Sequence, residues 1–181
     1  MITKVKVYNK LAIQSIIDNP ESFSEGNQWV LISIYSSPDE TIITESVIEV
    51  LKSCGCVGSH ATHFWDLSNP KQVASFEESW NEVHGEDPNF VFTKNKAQKI
   101  IEFIDVCHRV PEEMTLFVHC DAGVSRSGAV GIFAIQYLRL QDEDLESLSP
   151  LHPNNHVLTT LKRVAGLTPS FAGEMDAASH R

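Results

Sequence analysis

No stretch of the chain approaches the roughly 20 consecutive apolar residues that a bilayer-spanning helix needs, so no transmembrane helix is expected. The opening residues, Met1 to Lys10, lack the basic-then-apolar layout of a secretory signal. Glycine and proline are scarce, at 9 and 8 of 181 residues, which excludes a collagen-like or low-complexity chain. Basic residues are outnumbered: Lys plus Arg come to 14, Asp plus Glu to 24, and the formal net charge is −10. A field of that sign repels nucleic acid and anionic membrane, so neither is an expected partner. Any anion the protein binds must be caught by a local device. Cysteine is sparse too. Four cysteines at irregular spacing do not make a disulfide framework in a chain this long; they read as reduced thiols and imply a cytoplasmic setting. No internal repeat is present.

What the sequence does have is enough apolar material, 42% of residues, for one well-buried core at a length that suits one domain. Lys4 to Tyr8 alternates like a half-buried strand, and Lys10 to Asp18 follows as a helix with Leu11, Ile13, Ile16 and Ile17 on roughly one side, ended by Pro20. Trp29 to Tyr35 is a continuous β-branched run between Gly26-Asn27 and Ser36-Ser37-Pro38, the mark of a buried central strand. Thr41 to Leu51 fits helix and strand equally. His60 to Asp66 reads as the next strand, and Asn69-Pro70 as a cap followed by proline at the first helical position. Val73, Phe76, Trp80 and Val83 then form a helical stripe that Gly85 would stop.

Lys94 to His108 predicts a second strong helix, with Ala97, Ile100, Ile101 and Ile104 on one face and Pro111 closing it. Thr115 to His119 is a short apolar strand, Ser127 to Leu140 a largely buried helix, and His156 to Ala165 a last helix after a loop marked by Pro150, Pro153 and Asn154-Asn155. Residues 168–181 show no periodicity and are expected to fray. Strands alternating with helices imply an α/β fold: a central, mainly parallel sheet flanked by helices.

The chemistry concentrates between strand and helix, in His119-Cys120-Asp121-Ala122-Gly123-Val124-Ser125-Arg126-Ser127-Gly128. The amides of residues 121–126 can curl into a nest, and the helix beyond adds its positive end. Gly123 permits backbone that residues with a Cβ resist. Arg126 offers a planar fork to two oxygens of a phosphate dianion. The same positive potential favours the thiolate of Cys120, the reactive form of the group. One loop thus cradles an oxyanion and prepares a nucleophile beneath it.

This loop resembles the His-Cys-x5-Arg-Ser/Thr signature of the cysteine-dependent protein tyrosine phosphatases, and its Ala-Gly-Val-Ser-Arg-Ser wording is especially similar to their compact dual-specificity and bacterial branches. Residues 96 to 140 share the family's order and spacing, and His152-Pro153-Asn154 is similar to small bacterial members. Residues 1 to 60 match only in general layout. The resemblance implies a phosphatase domain over residues 1–167, no cofactor or metal, and a phosphorylated protein or peptide as substrate. It implies that Cys120 attacks phosphorus to form a cysteinyl-phosphate. Arg126, with the amides of Asp121, Ala122, Gly123, Val124 and Ser125, would bind the phosphoryl oxygens. Ser127 would hydrogen-bond the sulfur and help it leave, while His119 would order the loop without touching substrate.

The family also supplies a proton to the leaving group from an aspartate on a loop after a strand. Asp66, in Phe64-Trp65-Asp66-Leu67-Ser68-Asn69-Pro70, follows a predicted strand but lacks the usual proline before the acid and lies 54 residues ahead of Cys120. Asp87, in Gly85-Glu86-Asp87-Pro88, has the common spacing of 33 residues but follows a predicted helix. Asp66 is favoured, because placement at a strand end decides where a side chain points while spacing can absorb an inserted helix.

Three weaker features complete the reading. Cys54, Cys56, His60 and His63 superficially offer zinc ligands, but the Cys-x-Cys gap is tight and the two histidines fall on opposite strand faces, so buried thiols and strand histidines are favoured. A disulfide from Cys54 or Cys56 to Cys120 would give oxidative control, since a reactive thiolate is prone to oxidation. Asp142-Glu143-Asp144 reads as a solvated loop, and Trp65, Phe76, Trp80, Phe90 and Phe92 as core in preference to cleft wall. The loop interior holds an acid, Asp121, and no lysine, which disfavours polyphosphorylated lipid and RNA ends. Rival readings are a phospho-binding pseudo-phosphatase and a rhodanese-like sulfurtransferase or arsenate reductase, which use similar loops.

Overall fold

Among the described residues five strands pair in parallel to form one sheet: β1 (Ile2–Asn9), β2 (Gln28–Tyr35), β3 (Cys56–His63), β4 (Met114–Cys120) and β5 (Leu145–Ser147), in the spatial order β3-β2-β4-β1-β5. The computed structural model describes residues 1–68, 71–75 and 90–167. The expected cap at Asn69-Pro70, the stripe residues Phe76, Trp80 and Val83, the stop at Gly85, the alternative acid Asp87 and the tail 168–181 lie outside the described residues.

Parallel neighbours need crossovers, and helices supply them. α1 (Lys10–Asp18) and α2 (Glu45–Ser53) cover one face, where Ile13, Ile16 and Leu51 pack with Trp29, Leu31 and Phe117. α3 (Lys94–His108), α4 (Arg126–Leu138) and α5 (Asn155–Val164) cover the other, burying Ile100, Ile104, Val130, Phe133 and Leu161 against Val30, Ile32, Leu116 and Val118. With both faces covered, β2 and β4 are apolar almost throughout, as buried parallel strands should be. α4 lies especially close: a Cβ on Gly131 would stand 2.6 Å from Val7 Cγ2.

The α/β class and the parallel sheet agree with the sequence expectation, and α1 and α3 run over the ranges that their apolar spacing predicts. Thr41 to Leu51 resolves in favour of a helix starting at Glu45, with the Thr44 side chain accepting from Val47 N. Four details differ. Leu11 is 77% exposed, because at about 100° per residue it lies nearly opposite Ile13 on the helix. The strand expected at His60–Asp66 runs instead from Cys56 to His63, since its ladder ends where β2 ends, at the Tyr35–His63 pair. Residues 64–68 therefore leave the sheet as a loop. The acidic run expected as a plain loop forms a 3-10 turn, Asp142–Asp144, that feeds the edge strand β5, for which three residues gave no periodic signal.

Candidate active site

Cys120 is the last residue of β4, the middle strand, and Arg126 the first of α4. The loop between them is held from outside by its carbonyls. Lys10 N donates to Asp121 O, His152 N to Val124 O, and Asn154 N to Ser125 O, at 3.1–3.3 Å. The peptides of this loop are trans, so each following N–H points opposite to its carbonyl. The amides of 122, 125 and 126 accordingly face away from these supports. Ser125, the cap of α4, makes no side-chain bond to the helix amides and leaves that positive end uncovered. Gly123 sits at φ +72°, and a Cβ there would meet the backbone of Tyr8 and Asn9 at 2.7 Å, so only glycine lets the loop close onto the end of β1.

Strand alternation sends Cys120 to the α4 side, where it is buried and its Sγ lies 3.1 Å from Ser127 Oγ. His119 points to the opposite face. Its ring meets Tyr35 edge-to-face at 5.6 Å, and neither ring nitrogen has a hydrogen-bond partner among the described residues. Burial pushes its pKa down to about 4, so it stands behind the loop as a neutral imidazole.

Arg126 is only 5% exposed, yet three groups grip its guanidinium. Nη1 donates to Ser36 Oγ at 3.1 Å and to the Phe64 carbonyl at 2.9 Å, and Nη2 pairs with Asp121 Oδ2. Ser36 Oγ in turn donates to Asp121 Oδ2 at 3.2 Å. Nε is buried without a partner among the described residues. The Nη1 side is thus occupied by protein, and the Nε/Nη2 edge, the side-on fork that grips two oxygens of an oxyanion, keeps free donors.

Asp66 enters from the loop after β3. Its Oδ1 accepts from Ser125 Oγ at 2.8 Å and from Asn154 Nδ2 at 2.6 Å, which sets the carboxylate against the rim of the cysteine loop. Beside it Trp65 is 39% exposed and meets Phe90 edge-on, whereas Phe92 is buried against Phe64 at 4.6 Å.

The structure therefore brings together Cys120, Asp121, Arg126, Ser127, Ser125 and Asp66. Cys54, Cys56, His60 and His63 do not join them. Cys54 and Cys56 direct their thiols at backbone carbonyls, burial raises the Cys56 pKa to about 11, and the His60 ring stacks on Phe103. Among the described residues no three His, Cys, Asp or Glu side chains converge as a metal site, and no helix is long and apolar enough to cross a membrane. Sequence reasoning missed Ser36, which reads only as part of a strand-ending Ser-Ser-Pro, and the reach of Asn154 to Asp66. An asparagine before a helix signals a cap, and nothing in the chain says that its amide will cross to another loop.

No family model and no curated protein matches the chain. Among solved structures it is similar to Tk-PTP in its active form, at 15% identity and TM-score 0.44, covering 88% of this chain and 78% of that one. It is also similar to PTPMT1 in complex with PI(5)P, at 13% identity and TM-score 0.49, covering 91% of each chain.

Proposed function

We propose that the protein is a phosphomonoester hydrolase of the cysteine-dependent protein tyrosine phosphatase type, acting without a cofactor on phosphotyrosine-like esters of proteins or peptides. The observation that carries this reading is the placement of Cys120 Sγ, 3.1 Å from Ser127 Oγ, at the head of a loop that ends in Arg126, whose buried Nε has no partner among the described residues. A sulfur nucleophile and a guanidinium fork on one short loop are what transfer of a phosphoryl group requires.

Cys120 Sγ attacks phosphorus, the bond from phosphorus to the ester oxygen breaks, and Arg126 with the loop amides carries the charge of the transferring group. Asp66 gives the departing oxygen its proton. Asp66, now a carboxylate, takes a proton from the water that attacks the cysteinyl-phosphate, the sulfur–phosphorus bond breaks, inorganic phosphate leaves, and Ser127 Oγ steadies the thiolate that is released. Asp121 beside the arginine and the overall charge of −10 favour substrates with a single phosphate.

The test is hydrolysis of p-nitrophenyl phosphate in the presence of EDTA, followed by phosphotyrosine peptides. Turnover that survives the chelator and disappears in Cys120→Ser supports the reading. Full activity in Cys120→Ser removes the thiol from the mechanism. Thiosulfate turnover without ester hydrolysis makes the protein a sulfurtransferase instead.

A further inference from the structure

Asn154 is 1% exposed and spends every polar group of its side chain and its own amide on a different element. Its Oδ1 accepts from Val157 N at 3.0 Å and so caps α5. Its backbone N donates to Ser125 O at 3.1 Å in the cysteine loop. Its Nδ2 donates to Asp66 Oδ1 at 2.6 Å and to the Leu67 carbonyl at 3.0 Å. One buried residue thus fixes the start of α5, the rim of the anion cradle and the loop that carries Asp66.

The bonds at Asp66 have a direction. Both donors, Asn154 Nδ2 and Ser125 Oγ, converge on Oδ1, and no hydrogen bond to Oδ2 is found among the described residues. A carboxyl oxygen that already accepts two hydrogen bonds is a poor place for a proton, because a proton there would displace a donor. The remaining oxygen, Oδ2, is where a transferable proton sits. A general acid works only when its proton lies within hydrogen-bond reach of the leaving oxygen.

We infer that Asn154 is the positioning residue for the proton donor: its amide holds Asp66 by Oδ1 and thereby presents Oδ2 to the leaving group. The inference rests on the phosphatase reading above and goes beyond it by naming the group that orients the acid. Asn154 touches no reacting atom in this scheme and acts only through Asp66.

The informative variant is Asn154→Asp. Aspartate keeps an oxygen to cap α5, as good a cap as asparagine, but has no N–H to offer Asp66 or Leu67. A cooperative thermal melt identifies the folded variant, and Asn154→Ser, which also retains a capping oxygen, serves as the second. The readout is kcat on two esters, p-nitrophenyl phosphate with a good leaving group and phenyl phosphate with a poor one. Loss of a well-placed acid costs about 10²–10⁴-fold where the leaving group needs its proton. Asn154→Asp should therefore lose about tenfold or more on phenyl phosphate and much less on p-nitrophenyl phosphate. In an Asp66→Asn background the same change should cost nothing further, since coupled residues are not additive.

Equal losses on both esters would make Asn154 a merely structural residue and overturn the inference, as would wild-type rates in the variant. If Asp66→Asn keeps the wild-type leaving-group dependence, the proton comes from elsewhere; the inference then fails while the phosphatase reading stands. A wild-type protein inert toward both esters fails the phosphatase reading itself, and this inference with it.

Discussion

Arg126 and Asp121 are ion-paired across the mouth of the cysteine loop, the guanidinium buried and the carboxylate 42% exposed, with Ser36 bonded to both. The pair has two opposing effects. The carboxylate helps to aim the guanidinium, and its charge repels the dianion that the guanidinium must receive.

The Phe64 carbonyl holds Nη1 without help from Asp121, so the repulsion should dominate when Asp121 is neutralised. Asp121→Asn, which retains an acceptor for Nη2, is expected to tighten inhibition by inorganic phosphate about two- to fivefold, the scale of a half-exposed charge pair. Competition against p-nitrophenyl phosphate measures it, and a weaker Ki in the variant would show that aiming outweighs repulsion.

Gly123 admits no side chain. At φ +72° a Cβ is strained before any contact is counted, and the carbonyl of Tyr8 at 2.7 Å is backbone that cannot swing aside. Gly123→Ala is expected to cost about 2 kcal/mol or more in stability and to abolish phosphate binding, because the loop must pull away from β1. Chemical denaturation and phosphate titration check the two halves separately.

His119 ties stability to acid. Its folded pKa of about 4 lies below the ordinary 6.5, so in that interval the unfolded chain binds a proton that the folded chain refuses. Stability contributed by the neutral ring is complete above about pH 6.5 and is lost as the pH falls toward 4, by up to about 3 kcal/mol. Urea unfolding of the wild type and His119→Asn at steps across this interval should show the wild type losing more. Parallel pH dependences would mean that the ring is not the group that titrates.

How far the sequence could be read follows the reach of each signal along the chain. The cysteine loop was legible because every part of it, from His119 to Gly128, lies within one short span whose spacing dictates its geometry. α1 and α3 were legible from the 3.6-residue recurrence of Ile13 and Ile16, and of Ala97, Ile100, Ile101 and Ile104. The end of β3 was not, because His63 is its last residue only by virtue of the length of β2, a fact that no local pattern carries. β5 was hidden by the acidic turn ahead of it and by its own brevity.

The surroundings of the loop were harder still. Strand-end placement favours Asp66 from the sequence, and the structure sets it beside Ser125, three residues beyond the strand. Its partner Asn154 lies 88 positions away, and Ser36 and Arg126 are 90 apart. Contacts of that span arise from the order β3-β2-β4-β1-β5, which brings the ends of β2, β3 and β4 to one edge. A single sequence states that order nowhere.

The span of the Asp66–Asn154 contact also sets a sequence of events during synthesis. A nascent chain that has emerged only as far as residue 150 already carries the sulfur, the guanidinium and the carboxylate, but not the amide that ties the carboxylate down. All the reagents are then present and one of them is unmoored. The fold leaves this adjustment to a helix synthesised after the cysteine loop it serves.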